Sequence, residues 1–133
     1  MSLVTPEAVA AVTELRPVPH TLAELGALVC GGLPKSALRA GVEHATQLAD
    51  AQRALLGRII PEAIYKRRRD RLTRDESEKT ERLVRIVATT TSVWSDESDA
   101  CGFLSTPHPE LEGLALLDVA LSEFGARRVE ELL

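Results

Sequence analysis

The stretch LTRDESEKTERLVRIVATTTSVW, residues 72–94, decides the fold class. Thr73, with Glu76 three positions on, is a capping box in which each side chain satisfies the other's backbone N–H, so a helix is predicted to begin at Arg74. Leu83, Ile86, Val87, Thr90 and Trp94 then recur at helical offsets and form one apolar stripe. The period is that of a long amphipathic helix.

Working outward, the upstream segments read the same way. Thr5 caps a helix over Pro6 to Glu14, with proline at its first position. The two prolines of RPVPH, residues 16–20, break it. Thr21 and Glu24 form a second capping box, opening a helix over Leu22 to Val29 that CGGLP, residues 30–34, ends. A short helical turn is expected over Lys35 to Ala40. From Glu43 to Leu56 the residues Ala45, Leu48, Ala49, Leu55 and Leu56 keep helical spacing, and Gly57 is the expected stop. Pro61 starts the next helix, so two helices around a tight glycine-containing turn give a helix-turn-helix outline.

Downstream, Ser95 is the expected cap of a helix running through Ala100, Phe103 and Leu104. Leu114 to Val119 reads as a short helix. Ser122 caps a last one, with Val129, Leu132 and Leu133 on one face and Arg127, Arg128, Glu130 and Glu131 on the other. No strand pattern stands out. The expected fold is all-α, with seven to nine mostly short helices.

Composition agrees. Apolar residues make up 44% of the 133, but aromatics only 3%, so the core must be built from Leu, Val, Ile and Ala, a mixture that suits packed helices better than sheets. A formal charge of −4 argues against sequence-blind nucleic-acid binding over the whole surface, though not against a local basic patch. Cys30 and Cys101 are far apart without ligand-spaced neighbours, so neither a disulfide nor a zinc site is expected, and both are read as buried or partly buried thiols. The N-terminal residues lack the pattern of a signal peptide and no apolar run is long enough to span a bilayer, so a soluble cytoplasmic protein is expected.

Three stretches carry candidate chemistry. CGFLSTPHPELEG, residues 101–113, places His108 between two prolines with Ser105, Thr106 and Glu110 close by. A general base needs an orienting partner and a pocket, whereas residues before proline are pushed toward extended geometry; a stiff turn is the better reading, with a partner contact also open. His20 and His44 stand alone, and CGGLP lacks the spacing of a nucleotide-binding loop. The second stretch is basic: Lys66, Arg67, Arg68, Arg69, Arg71 and Arg74, interrupted by Asp70. These side chains could meet DNA phosphates. Equally, they could be a solvated helix end, neutralised by Asp75, Glu76, Glu78 and Glu81. The third is the closing RRVEELL, whose leucines either finish packing on the core or meet a partner.

Taken in order, these segments resemble the Xre/MbcA/ParS family of bacterial antitoxins. The motifs are Leu55-Leu56-Gly57, Arg67 to Arg69, the cap Leu72-Thr73-Arg74-Asp75-Glu76-Ser77, the run from Phe103 to Gly113, and the closing Gly125 to Leu133. The likeness covers roughly the last 80 residues closely, and a preceding stretch through GGLPKSAL loosely. His108 stands where the family usually has Asn, and Leu116-Leu117-Asp118-Val119 where it usually has Pro-Leu-Glu-Leu.

The resemblance implies three regions: an N-terminal arm over residues 1–20, a helix-turn-helix-like module over 21–72 and a toxin-binding region over 73–133. It implies an antitoxin without catalytic residues, cofactor or metal, whose partner is a RES-domain toxin that acts on NAD by consuming it or transferring ADP-ribose. Inhibition would come from the C-terminal helix covering the NAD pocket, which points to Arg127, Arg128, Glu130, Glu131, Leu132 and Leu133. A homodimer is expected. The alternative is a DNA-binding autorepressor of its own operon, with Ile59-Ile60-Pro61 in the turn and Tyr65 to Arg69 in the reading helix, so that Lys66, Arg67, Arg68, Arg69 and Arg71 would contact DNA.

Overall fold

The computed structural model describes residues 4–121 together with residues 125, 127, 128 and 131. In chain order the helices are α1 (Pro6–Thr13), α2 (Leu22–Gly31), α3 (Lys35–Ala45), α4 (Ala49–Ile59), α5 (Glu62–Arg67), α6 (Arg74–Trp94), α7 (Glu97–Ser105) and α8 (Leu116–Val119). Two-residue strands β1 (Pro107–His108) and β2 (Leu114–Ala115) flank a 3₁₀ turn at Pro109–Leu111. The all-α class holds.

α6 is the axis on which the rest is assembled. Its start is the expected capping box, with the Glu76 N–H donating to Thr73 Oγ1 at 3.2 Å and the Thr73 N–H donating to Glu76 Oε1 at 2.8 Å. Leu83, Val84, Ile86 and Val87 are completely buried, and burying each such side chain stabilises the fold by roughly 2 kcal/mol. Buried Thr90 lies on the same stripe and donates its hydroxyl to Ile86 O at 2.8 Å, so it adds no unsatisfied polar group. Helices α1, α2, α3, α4 and α7 all pack against α6. Gly41 allows the closest approach: a Cβ there would lie 2.8 Å from a Val84 methyl. Val9, Ala10, Val12 and Leu15 are buried in the same core, so the residues expected as an N-terminal arm supply part of it.

Several local expectations need correcting. α3 continues past Ala40 to Ala45, and the helix expected over Glu43 to Leu56 breaks at Thr46 instead. There the Thr46 hydroxyl accepts from the Leu48 N–H at 3.3 Å and its carbonyl accepts from Gln52 Nε2 at 2.8 Å, a local alternative to helix geometry. Gly57 is no stop, because α4 runs through it to Ile59. Pro61 ends that helix by forcing Ile60 into extended backbone. Asp96 rather than Ser95 caps α7, while Ser95 closes α6 at φ 63°. Glu24 accepts from the His20 N–H at 2.6 Å, one residue before the expected partner. The cap expected at Ser122 lies outside the described residues.

The cysteines differ from each other. Cys101 is buried, whereas Cys30 is exposed at the end of α2. Among the described residues no helix is long and apolar enough to cross a membrane.

Candidate functional site

The C-terminal part of the molecule is built on a small hairpin. Pro107 faces Ala115 and His108 faces Leu114 in antiparallel register. The turn closes because His108 O accepts from the Gly113 N–H at 3.0 Å, and Glu112 and Gly113 both take positive φ. His108 Nδ1 accepts from the Glu110 N–H at 3.3 Å, which makes the imidazole the cap of the 3₁₀ turn. A lone pair on Nδ1 leaves the ring proton on Nε2, an assignment made from the hydrogen-bond network. An asparagine side chain would offer a comparable acceptor to the same N–H. Thr106 is engaged locally too, donating its hydroxyl to Gly102 O at 2.7 Å. The side chains of Thr106 and His108 are therefore engaged with nearby backbone.

Three arginines fasten this unit. Arg58, near the end of α4, donates to Leu117 O at 3.1 Å and to Asp118 O at 2.6 Å, with the Asp118 carboxylate 3.6 Å away. Arg82 of α6 donates to Leu121 O at 3.3 Å. Arg128 donates to Glu110 O at 2.7 Å and, through both terminal nitrogens, to the Glu112 carboxylate at 3.2 Å each. Planar guanidinium suits this bidentate grip, which fixes orientation as well as supplying energy. Inside the unit, Asp118 accepts from the Ala115 N–H at 3.0 Å and starts α8. A fourth tie joins His44 of α3 to Glu97 of α7, Nδ1 to Oε1, at 2.6 Å.

Cys101 lies in the same region, its thiol donating to His44 O at 3.3 Å. Burial pushes this thiol above its ordinary pKa, and the Glu97 charge adds to the shift.

The residues read from the last helix divide. Gly125, Arg127, Arg128 and Glu131 have helical backbone. Arg127 and Glu131 are exposed and one helical turn apart, whereas Arg128 is turned inward to the hairpin. Glu130, Leu132 and Leu133 lie outside the described residues.

The basic run also divides, and the expected reading helix needs correcting. α5 spans Glu62–Arg67, so Arg68 and Arg69 fall beyond it. Arg68 donates to both Glu76 oxygens, at 2.7 and 3.0 Å. Arg71 donates to Gly32 O at 2.8 Å, and Arg74 pairs with Glu78 at 3.3 Å. Lys66 pairs with Glu62 at 3.2 Å in a well-exposed contact. Arg68 and Arg71 are thus spent on internal order, while exposed Lys66, Arg67, Arg69 and Arg74 are side chains a phosphate could reach. Lys66 edges an open cleft of about 260 Å³ between α3, α4 and α5, where Arg39 and Arg53 are offset by Glu43 and Glu62.

Sequence reasoning missed Arg58 and Arg82 as fasteners and Lys35 as a cap for α5. Lys35 Nζ donates to Tyr65 O at 2.8 Å and Arg68 O at 3.0 Å and stands 4.3 Å from the centre of the Tyr65 ring. The available signal was charge placement, since residues 90–121 contain no lysine or arginine. Any lysine or arginine that pairs with their carboxylates therefore comes from another segment. Among the described residues no group of three or more His, Cys, Asp or Glu side chains could hold a metal ion.

A helical unit with a capped hairpin and a C-terminal helix clamped beside it is suited to presenting a surface to another protein. Residues 90–133 match the family model described as the antitoxin Xre/MbcA/ParS C-terminal toxin-binding domain. This segment of the chain is thus similar to the toxin-binding domain of Xre/MbcA/ParS-type antitoxins. Comparison with curated proteins gives no match.

Proposed function

We propose that this antitoxin neutralises a RES-domain toxin that acts on NAD, and does so by laying its C-terminal helix over the NAD pocket. The observation that carries the reading is the toxin-binding domain match together with the way Arg128 clamps the last helix to the hairpin turn. A clamped helix loses less conformational freedom on binding than a loose tail, so more of its contact energy appears as affinity. Arg127 and Glu131 lie on its exposed side. Leu132 and Leu133 would bury apolar area at the pocket mouth. A carboxylate from Glu130 or Glu131 would pair with an arginine that otherwise holds the NAD phosphates. The antitoxin supplies no catalytic group and needs no cofactor in this mechanism.

The test is NAD turnover by the product of the adjoining gene, with and without an equimolar amount of this chain. Loss of turnover on addition supports the reading, and unchanged turnover refutes it. The exposed part of the basic run, Lys66, Arg67 and Arg69, supports a second activity of the same chain, contact with operator DNA as a homodimer.

A further inference from the structure

We infer that the toxin is first gripped at an aromatic strip on the antitoxin, distinct from the C-terminal helix, and that this strip takes an apolar socket with a basic rim. The inference rests on the antitoxin reading above and specifies where the partner docks.

The strip is continuous. The rings of Trp94 and Phe103 are 5.2 Å apart between centroids, and Phe103 meets the His108 ring edge-on at 6.4 Å. His108 is cross-strand neighbour to Leu114, so their side chains share one face of the hairpin. Trp94 is 42% exposed and Leu114 47%, while Phe103 is half-buried and packs its inner side on the core. Val93, beside Trp94, is 58% exposed. This placement is costly for a chain with a single tryptophan and so few aromatics. Trp94 sits at the end of the stripe that builds the core, yet α6 carries it past that core and stops on Ser95. Exposed aromatic and aliphatic side chains ringed by polar residues mark protein-binding surfaces, and tryptophan is the residue most enriched among those that dominate binding energy.

The charge around the strip selects the partner's chemistry. Between residues 90 and 121 the charged residues are Asp96, Glu97, Asp99, Glu110, Glu112 and Asp118, with no lysine or arginine. Glu97, Glu112 and Asp118 are drawn into contacts with His44, Arg128 and Arg58. Asp96, Asp99 and Glu110 are exposed. Asp96 and Asp99 precede Phe103 by seven and four positions, on the same side of α7. Glu110 follows His108 in the turn. Asp96 and Asp99 make the α7 flank acidic, and Glu110 adds a carboxylate on the other beside Arg128; a complementary socket carries Lys or Arg, chiefly on the α7 side, around an apolar floor. The strip also lies wholly within the toxin-binding match, which begins at residue 90.

The experiment measures association of the full chain with the purified product of the adjoining gene. Two variants are compared with wild type, Trp94→Ala with Leu114→Ala and Asp99→Lys with Glu110→Lys. The apolar pair is expected to weaken binding at least tenfold. The charge-reversed pair, which leaves the core untouched, is expected to slow association and flatten its dependence on ionic strength. Melting temperatures identify any loss of fold. If wild type binds and the charge-reversed pair associates as fast, with the same salt dependence, the docking proposal falls while the antitoxin reading stands. The docking proposal falls equally if a folded apolar pair binds as tightly as wild type. If wild type itself fails to bind, both fall.

Discussion

Arg128 holds Glu112 through two contacts of 3.2 Å while donating to Glu110 O at 2.7 Å, and so locks the last helix to the turn that His108 caps. Both side chains are partly solvated, which limits the pair to about 1 kcal/mol. Arg128→Ala is expected to leave the global melting temperature within a few degrees of wild type. Amide exchange in the C-terminal helix should quicken, and toxin inhibition should weaken severalfold. Glu112→Gln keeps the carbonyl contact and should show a smaller effect in both measurements.

Gly32 is a tightly constrained backbone position. It stands at φ +94°, and a Cβ there would fall on the Leu72 carbonyl oxygen. That carbonyl cannot easily retreat, because the Leu72 N–H donates to Leu33 O at 2.9 Å. Gly32→Ala is expected to cost about 2–4 kcal/mol. Gly31→Ala is the control, since nothing lies within 4 Å of a Cβ there and the residue is helical. It should be neutral or stabilising by up to about 1 kcal/mol. Thermal unfolding of the two variants separates them.

The basic run should split by function. Arg68→Ala breaks a half-buried bidentate pair with Glu76, whose carboxylate also caps α6, and is expected to destabilise by roughly 2 kcal/mol. Arg67→Ala with Arg69→Ala should change stability by about 0.5 kcal/mol or less. If the chain binds its operator, that pair should abolish the binding or cut its salt slope by about 2. Toxin inhibition should stay as it was. Gel-shift titrations over a salt series test the DNA arm.

The thiols should be distinguishable by pH. At mildly alkaline pH a thiol reagent is expected to modify exposed Cys30 quickly and Cys101 slowly, because burial and then the Glu97 charge keep Cys101 protonated. The folded state therefore holds a proton that the unfolded state releases once pH passes the ordinary thiol range near ~8.5. Stability should decline as pH rises beyond that point. Cys101→Ala should lessen this decline, as read from denaturant midpoints across pH.

What was legible in the sequence was local. The Thr73–Glu76 box and the stripe from Leu83 to Thr90 announced α6, because capping and periodicity are properties of adjacent residues. The stiffness of Thr106 to Pro109 could be read from its prolines. Gly57 misled because an exposed helical glycine costs only about 1 kcal/mol, less than the packing of Leu55, Leu56 and Ile59 returns. Trp94 misled in the opposite sense, for a helical period cannot say where the core ends. Arg128 was read as a charge on a helix face, and Arg58 and Arg82 were not singled out. Their carbonyl partners are set by tertiary placement, and no spacing rule reports that.

The most direct test of the inhibition mechanism compares the full chain with one cut after Val129, at equimolar amounts, in NAD turnover by the adjoining gene's product. Full inhibition by the intact chain and none by the cut chain is the predicted result. Equal inhibition by both would contradict occlusion by the C-terminal helix.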